Sequence, residues 1–387
     1  MSARLLLSCG EASGDLYAGA LTRELLALDP SVSISGLGGP QFAAAGGRLV
    51  DDYREISVTG LTEWIPKLPR LLAARRRLVA AAIAERPDAL VLIDFSGFNF
   101  RLAPAIKRLG VPVIYYISPQ IWASRPKRLD TIRAIADRVL VIFPFEAAIY
   151  EQGGVPVEFV GHPLIDLAKP AETRERFLAG RGLTPSAPTV AILPGSRANE
   201  VSRILPDLAA AARLIKRDIA AAQFLVARAP HLDDRLFDAV RTGDGSALFT
   251  MVEGDTDTVL ASADVALTAS GTATVQAALH DTPMVVVYRM APLSYQLAKR
   301  VVRLDTIAMA NLIAGEKIVP ELVQDAFTPE AVAREAISML NDRGRAARIR
   351  AGLATVRARL GGPGASRRAA QAILRVASAH AGRTIAP

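Results

Sequence analysis

The chain has 387 residues, 51% of them hydrophobic and 22% charged, with one cysteine and four histidines. That length suits two domains with ample core and excludes a disordered chain, a collagen-like repeat and a coiled coil. Cys9 alone supports neither a disulfide framework nor a thiolate zinc site. His162, His231, His280 and His380 include no pair at ligand spacing, so no metal site is expected.

The formal charge of +8 invites a nucleic-acid reading, but only seven of the 46 basic residues are Lys, and the arginines are scattered along an Ala-rich chain. That is a composition bias with no nucleic-acid motif, and no nucleic-acid partner is expected. The longest uncharged runs, Val111–Ser124 and Val265–His280, are interrupted by Pro, Gly, Ser or Thr and fall short of a membrane span. The three-Leu stretch near Met1 is too short for a signal sequence, so a cytoplasmic location is expected.

In chain order, short apolar runs alternate with helix-period segments, the pattern of β-α units and parallel sheets. The first half gives strands at Arg4–Cys9, Val32–Gly36, Asp88–Asp94, Pro112–Ser118, Asp137–Phe143 and Val157–Val160. Helices are predicted between them at Leu16–Leu28, Pro66–Glu85, Phe98–Leu109, Pro126–Ala136 and Phe145–Gln152. The alternation lapses over 161–188, where prolines gather, and this marks a domain boundary. It resumes with strands at Thr189–Leu193, Gln223–Ala227, Ala247–Val252, Asp264–Thr268 and Pro283–Tyr288, and helices at Glu200–Asp218, Leu232–Thr242, Thr256–Ala261 and Thr272–Leu279. From 328 onward the chain reads as helix only, interrupted at Gly361-Gly362-Pro363-Gly364. The expected architecture is α/β, with two tandem Rossmann-like domains over 1–165 and 166–327 and a helical tail over 328–387.

Ligands of open α/β sheets bind beyond the carboxyl ends of the strands, and the unusual residues collect there. Gly10-Glu11-Ala12-Ser13-Gly14-Asp15 follows the first strand, and Asp94 ends the most apolar one. A carboxylate at Asp94, partly desolvated, can serve as a general base or can cap the next helix. Glu11 lies in the turn itself and is a site candidate, whereas Asp15 reads as a helix-dipole partner or cap. In the second half, Pro194-Gly195-Ser196-Arg197 and Ser270-Gly271-Thr272 together suggest a phosphate site. Backbone amides at a helix start would cradle the anion and Arg197 would reach it with a fixed fork of donors. A tight turn with a capping Ser is the plainer reading of Ser270. Gln276, one turn in, could bond a sugar diol.

No Gly-x-x-x-x-Gly-Lys-Ser/Thr occurs, and Gly36-Leu37-Gly38-Gly39-Pro40-Gln41 lacks the third Gly of a nicotinamide-binding turn, so neither a P-loop nor a dinucleotide cofactor is expected. His162 before Pro163 reads as a hinge residue, the other histidines as structural, and Cys9 as inert. Residues 64–86 gather Lys67, Arg70, Arg75–Arg77 and Arg86 among Trp64, Ile65, Leu68, Leu71 and Leu72, with Glu85 as their one acid. The stretch suits an anionic membrane surface or a solvated helix face.

Taken together, these blocks resemble the lipid-A-disaccharide synthase family, inverting glycosyltransferases of the two-Rossmann (GT-B) fold. The resemblance rests on GEASGD (10–15), GLGGP (36–40), the run from Asp94 to Asn99, YYISPQIWA (115–123), FPFE (143–146) and VEFVGHPL (157–164). It continues with LPGSR and Glu200-Val201 (193–201), ASGTAT (269–274), MVVVYRM (284–290), LAKR (297–300), NLIAGE (311–316) and VPELVQ (319–324).

The resemblance implies transfer of the sugar of UDP-2,3-diacylglucosamine to the 6-hydroxyl of 2,3-diacylglucosamine 1-phosphate, giving a β-1,6 disaccharide 1-phosphate and UDP. No cofactor is implied. Asp94 becomes the base, Glu11 a residue of the acceptor cleft, and Arg197, Ser270, Gly271, Thr272, Gln276 and Asn311 the UDP-sugar site. Acylated substrates imply work at the cytoplasmic face of the inner membrane, with Trp64, Ile65, Leu68, Leu71 and Leu72 dipping in and Arg70 and Arg75–Arg77 meeting phosphates. The tail would pack on the first domain or exchange with a second subunit in a homodimer. Three positions depart from the family pattern: Gln276 replaces a Glu, Ser124 a Trp, and Ser96-Gly97 a Pro-Asp pair. The alternative is an enzyme of the same fold, transferase or epimerase, acting on a water-soluble UDP-sugar.

Overall fold

The computed structural model describes residues 2–56, 64–119, 127–230, 232–242, 246–290 and 306–384, giving the main chain alone at 64–67, 127, 383 and 384. The 120–126 part of the YYISPQIWA region including Ser124, the LAKR block, His231 and the side chains of Trp64 and Ile65 lie outside the described residues. The chain forms two compact units, one of residues 1–163 and 360–387 and the other of residues 164–359.

The first unit is a seven-stranded parallel sheet in the order β3-β2-β1-β4-β5-β6-β7. Its strands are β1 (Arg4–Ser8), β2 (Ser33–Gly38), β3 (Arg48–Asp52), β4 (Ala89–Ile93), β5 (Val113–Tyr116), β6 (Arg138–Val141) and β7 (Val157–Phe159). Between them run α1 (Ala12–Leu28), α2 (Pro40–Ala44), α3 (Trp64–Glu85), α4 (Ser96–Lys107), α5 (Lys127–Ile135) and α6 (Pro144–Gln152). Every residue of β4 is buried, as expected of a central parallel strand covered on both faces. On one face Leu90 and Leu92 pack with Leu71, Ala74 and Leu78 of α3 and Phe98, Leu102 and Ile106 of α4. Each such large side chain contributes about 1.5–3 kcal/mol. β3 was not predicted, because its five residues RLVDD end in two acids and carry little apolar signal.

The second unit is a six-stranded parallel sheet in the order β10-β9-β8-β11-β12-β13. Its strands are β8 (Thr189–Leu193), β9 (Gln223–Arg228), β10 (Phe249–Glu253), β11 (Val265–Ala269), β12 (Met284–Tyr288) and β13 (Glu321–Val323). Its helices are α7 (Leu164–Leu167), α8 (Arg174–Ala179), α9 (Ala198–Asp218), α10 (Asp238–Arg241), α11 (Thr256–Ala261), α12 (Thr272–Leu279), α13 (Met309–Ala314), α14 (Pro329–Asn341) and α15 (Arg343–Arg359). α9 buries Val201, Ile204, Leu205, Leu208, Ala212 and Ile215, one stripe at helical spacing. The helix expected at Leu232–Thr242 is a 3-10 turn over Asp234–Phe237 followed by the single turn of α10.

The tail does not behave as one segment. α14 and α15 bury Val332, Ala336, Met339, Ile349, Leu353 and Val356 within the second unit. Only the last helix, α16 (Ala365–Thr384), belongs to the first, where it packs along α1. The chain crosses at 359/360, not at 327/328, because the apolar stripes of α14 and α15 need the second sheet and its helices to cover them. Arg368 fixes the return, donating to the carbonyl oxygens of Val160 (2.8 Å), Gly362 (2.8 Å) and Pro363 (2.7 Å). His162 N donates to Leu360 O at 2.9 Å beside it.

Candidate functional sites at the two switch points

In both sheets the strand order runs outward from a central pair whose following loops diverge, β1 and β4 in the first unit, β8 and β11 in the second. Such a switch point opens a crevice at the carboxyl ends of the strands. Gly10-Glu11 and Asp94-Phe95 leave the first crevice, and Gly195-Ser196-Arg197 and Ser270-Gly271-Thr272 the second.

In the first unit Asp94 and Phe95 are consecutive non-glycine residues with left-handed backbone, each at φ 46°. That conformation costs roughly 1–2 kcal/mol per residue. Hydrogen bonds hold the turn: Asp94 N donates to Ile117 O (3.1 Å), and Asp94 O accepts from Asn99 Nδ2 (2.8 Å) and Tyr115 OH (2.8 Å). Ser8 Oγ, on the neighbouring strand, donates to Asn99 Oδ1 at 2.7 Å. Phe95 stacks on Phe98 and lies over Gly10, where a Cβ would come within 2.1 Å of the ring. Gly10 is therefore needed for close approach rather than for its own dihedral freedom. The Asp94 side chain is exposed, so the partial desolvation expected at the strand end is absent. Burial and the nearby Asp94 charge push the Tyr115 phenol well above its ordinary pKa, keeping it a donor.

Glu11 is the half-buried N-cap residue of α1, and its side chain makes no capping bond there. Asp15 has a different task from the one expected of it. It is buried and accepts from the main-chain N–H groups of Gly39 (2.8 Å), Gln41 (2.9 Å) and Phe42 (3.1 Å), so it caps α2 rather than its own helix. Burial pushes the Cys9 thiol up, which fits an unreactive core cysteine. Burial also lowers the His162 imidazole to about 3, between the Tyr17 and Phe143 rings.

On α3, Leu68 and Leu72 are exposed, and Ile83 continues the same outer stripe. Leu71, expected to face a membrane, is buried in the core, because it lies about 100° around the helix from Leu72 and so turns toward the sheet. Arg77 pairs with Asp51, and Arg75 donates to Arg101 O at 2.9 Å, leaving Arg70 and Arg76 exposed beside the leucines. Among the described residues no helix is long and apolar enough to cross a membrane.

In the second unit Gly195, at φ 123°, turns the chain from β8 into α9, and Arg197 is the N-cap residue of that helix. The Arg197 guanidinium meets Glu200 Oε1 at 3.0 Å, and Ser196 N donates to Glu200 Oε2 at 3.3 Å. Tyr288, at the end of β12, has its phenol pKa raised by burial and by Glu200, against an opposing pull from Arg197. Across the switch point Ser270 Oγ donates to Ile307 O (2.8 Å), and Gly271 opens α12 with no atom of the described residues beyond its own neighbours within 4 Å of where a Cβ would stand. The N-terminal amides of α12 lie beside the exposed Thr272.

Gln276 is partly committed, and Asn311 is not placed as expected. Gln276 Nε2 donates to Asp257 Oδ1 at 3.0 Å, an oxygen shared with His280 Nε2 at 3.0 Å. One Nε2–H is thereby committed, and the second Nε2–H and Oε1 remain for a diol. Asn311 is buried with its amide fully committed. Its Nδ2 donates to Val319 O (3.0 Å) and Glu321 Oε1 (2.6 Å), and its Oδ1 accepts from Ile318 N and Val319 N (2.9 Å each). Glu321 also accepts from Ile307 N and Ala308 N, so Asn311 and Glu321 fix the loop that meets Ser270. Asn311 positions that loop; its side chain has no capacity left for a ligand. Sequence reasoning missed Ser8, Tyr115, Glu200, Tyr288 and Glu321, whose roles depend on strand neighbours rather than on local pattern. Among the described residues no three His, Cys, Asp or Glu side chains are grouped to hold a metal ion.

Residues 5–376 match the model of the family described as lipid-A-disaccharide synthetase. The chain is 42% identical over 372 residues to the lipid-A-disaccharide synthase of Geobacter metallireducens, covering 96% of each chain. To that of Myxococcus xanthus it is 40% identical over 371 residues, covering 96% of this chain and 97% of the other. Among solved structures it resembles a UDP-GlcNAc 2-epimerase from Neisseria meningitidis, with a TM-score of 0.70, 11% identity, and 97% of this chain and 100% of that chain covered. It also resembles the glycosyltransferase of kitacinnamycin, with a TM-score of 0.63, 17% identity, and 97% and 99% covered. At those identities the structural likeness establishes the two-Rossmann fold alone.

Proposed function

The chain belongs to the lipid-A-disaccharide synthase family of glycosyltransferases, and from that premise we propose how its residues carry the transfer. The donor is UDP-2,3-diacylglucosamine and the acceptor 2,3-diacylglucosamine 1-phosphate. Asp94 takes the proton of the acceptor 6-hydroxyl while that oxygen attacks the anomeric carbon. The bond to UDP breaks, its electron pair stays on the diphosphate, and the configuration inverts to the β-1,6 link. Glu11, beside Asp94 at the same switch point, orients the acceptor. Arg197 and the amides that open α12 at Gly271 and Thr272 receive the developing diphosphate charge, a fixed positive environment that stands in for a divalent metal. Ser270 holds that turn in place.

The observation that carries this reading is the strand order. It brings the Glu11 and Asp94 strand ends to one switch point and the Arg197 and Ser270–Thr272 turns to the other, which supports a base at the first and a diphosphate cradle at the second. Because both substrates are acylated, the stripe of Leu68 and Leu72 with Arg70 and Arg76 rests on the inner membrane surface, its leucines entering the headgroup boundary.

UDP release from the donor, with and without acceptor, in detergent micelles containing chelator, tests the scheme. Acceptor-dependent release with a disaccharide in the mass spectrum supports it. Release abolished by chelator overturns the metal-free part, and tight UDP binding without turnover of either lipid overturns the acyl-sugar substrates. Asp94→Asn should lower turnover by about 10²–10⁴-fold with UDP affinity unchanged; wild-type turnover in that variant overturns the base.

A further inference from the structure

We propose that Tyr115 and Asn99 are positioning residues for the reaction, aiming the Asp94 carboxylate by gripping the main-chain carbonyl of the same residue, with Ser8 fixing the Asn99 amide. This inference rests on the reading of Asp94 as the base.

Two consecutive left-handed non-glycine residues do not hold that shape unaided, and the surrounding structure must over-determine it. Three elements do so. Tyr115 comes from β5, Asn99 from the first turn of α4, and Ser8 from the end of β1 across the switch point. All three side chains are buried, whereas the Asp94 side chain is exposed. The Asp94 carbonyl is bonded at 2.8 Å by each of the two donors, Asn99 Nδ2 and Tyr115 OH. The Asp94 carbonyl can only accept, so Asn99 presents Nδ2 to it, and the Ser8 hydroxyl, 2.7 Å from Oδ1, holds the other end of the amide. The Phe95 ring over Gly10 closes the turn on its other side. If the carbonyl is released, the left-handed turn can relax and the carboxylate swings away from the acceptor oxygen, where a displacement of about 1 Å costs on the order of 10²-fold in rate.

Tyr115→Phe removes one oxygen and keeps the ring against Phe100. In the full chain, assayed for disaccharide in micelles, its turnover should fall by about 10-fold or more, with both KM values within about threefold of wild type. The double variant Tyr115→Phe with Asp94→Asn should be no slower than Asp94→Asn alone, because a positioner has nothing left to position. A merely structural tyrosine would instead lower both backgrounds by the same factor. Unchanged turnover in Tyr115→Phe, or losses that multiply in the double variant, overturns the proposal and leaves the base intact. Wild-type turnover in Asp94→Asn overturns both. Should Tyr115→Phe fail to fold, Ser8→Ala asks the same question through Asn99, with the same pattern expected and the same outcomes overturning it.

Discussion

Asp15 offers a sharp separation of structure from chemistry, because it lies in the most distinctive sequence block yet spends its carboxylate on the main chain of α2. In Asp15→Ala, the N–H groups of Gly39, Gln41 and Phe42 lose their acceptor. Gly39 and Phe42 are buried and Gln41 is exposed, so water can replace the bond at Gln41 only. Two dry donors at about 1–3 kcal/mol each, with a smaller loss at the wet one, sum to about 3–5 kcal/mol. At roughly 2–4 °C per kcal/mol for a unit of this size, the melting temperature of the first unit should drop by about 10 °C. Asp15→Asn keeps Oδ1 for Gly39 and Phe42 and sets an NH2 group against the Gln41 N–H alone, a loss of about 1 kcal/mol. Urea titration followed by circular dichroism, with calorimetric UDP binding alongside, reads both variants. The expected order is Ala far below Asn and Asn slightly below wild type, with UDP affinity unchanged. An Ala variant within about 1 kcal/mol of wild type, or an Asn variant as damaged as Ala, refutes this hydrogen-bond account.

Arg197→Ala should raise the Kd for UDP by roughly 10- to 100-fold, the worth of charged hydrogen bonds to a diphosphate, and titration calorimetry with UDP measures it. His162 is buried neutral with a pKa of about 3 against 6.5 when unfolded, so the unfolded state binds the extra proton between those values. Its contribution is complete above the unfolded pKa and is lost as pH falls from about 6.5 toward 3. His162→Phe should flatten the fall of the urea midpoint between pH 6.5 and 4.5, and an equally steep fall in that variant refutes the assignment. Replacing Leu68 and Leu72 by Gln should cut sedimentation with anionic vesicles at least about 10-fold without lowering melting temperature, since each buried Leu is worth about 1.5–3 kcal/mol and both are exposed in the free protein. The same change at Leu71 should destabilise the fold instead.

The alternation of elements, and with it the class of fold, is written in local patterns along the chain. β4 and β11 are runs of apolar residues bounded by turn formers, and α9 carries its stripe at helical spacing, signals set by near neighbours along the chain. Quoted in order, the motif blocks also identified the family, and they placed Asp94, Glu11, Arg197 and Ser270–Thr272 at strand ends. Short elements such as β3 and β13 left no comparable trace, since three to five residues with acids among them show no periodicity.

Which strand ends share a crevice emerges only on folding, because parallel partners are far apart in sequence and nothing local encodes their order. β1 meets β4 and β8 meets β11, and those pairings bring separate motifs together at two switch points. Hydrogen-bond commitments were likewise out of reach of the sequence. An Asn in a family block looks the same whether its amide faces a ligand or, as at Asn311, is used up by Val319, Ile318 and Glu321. The different burial of Leu71 and Leu72 follows from the roughly 100° turn between neighbours on a helix, and only the position of the sheet says which of the two goes inside.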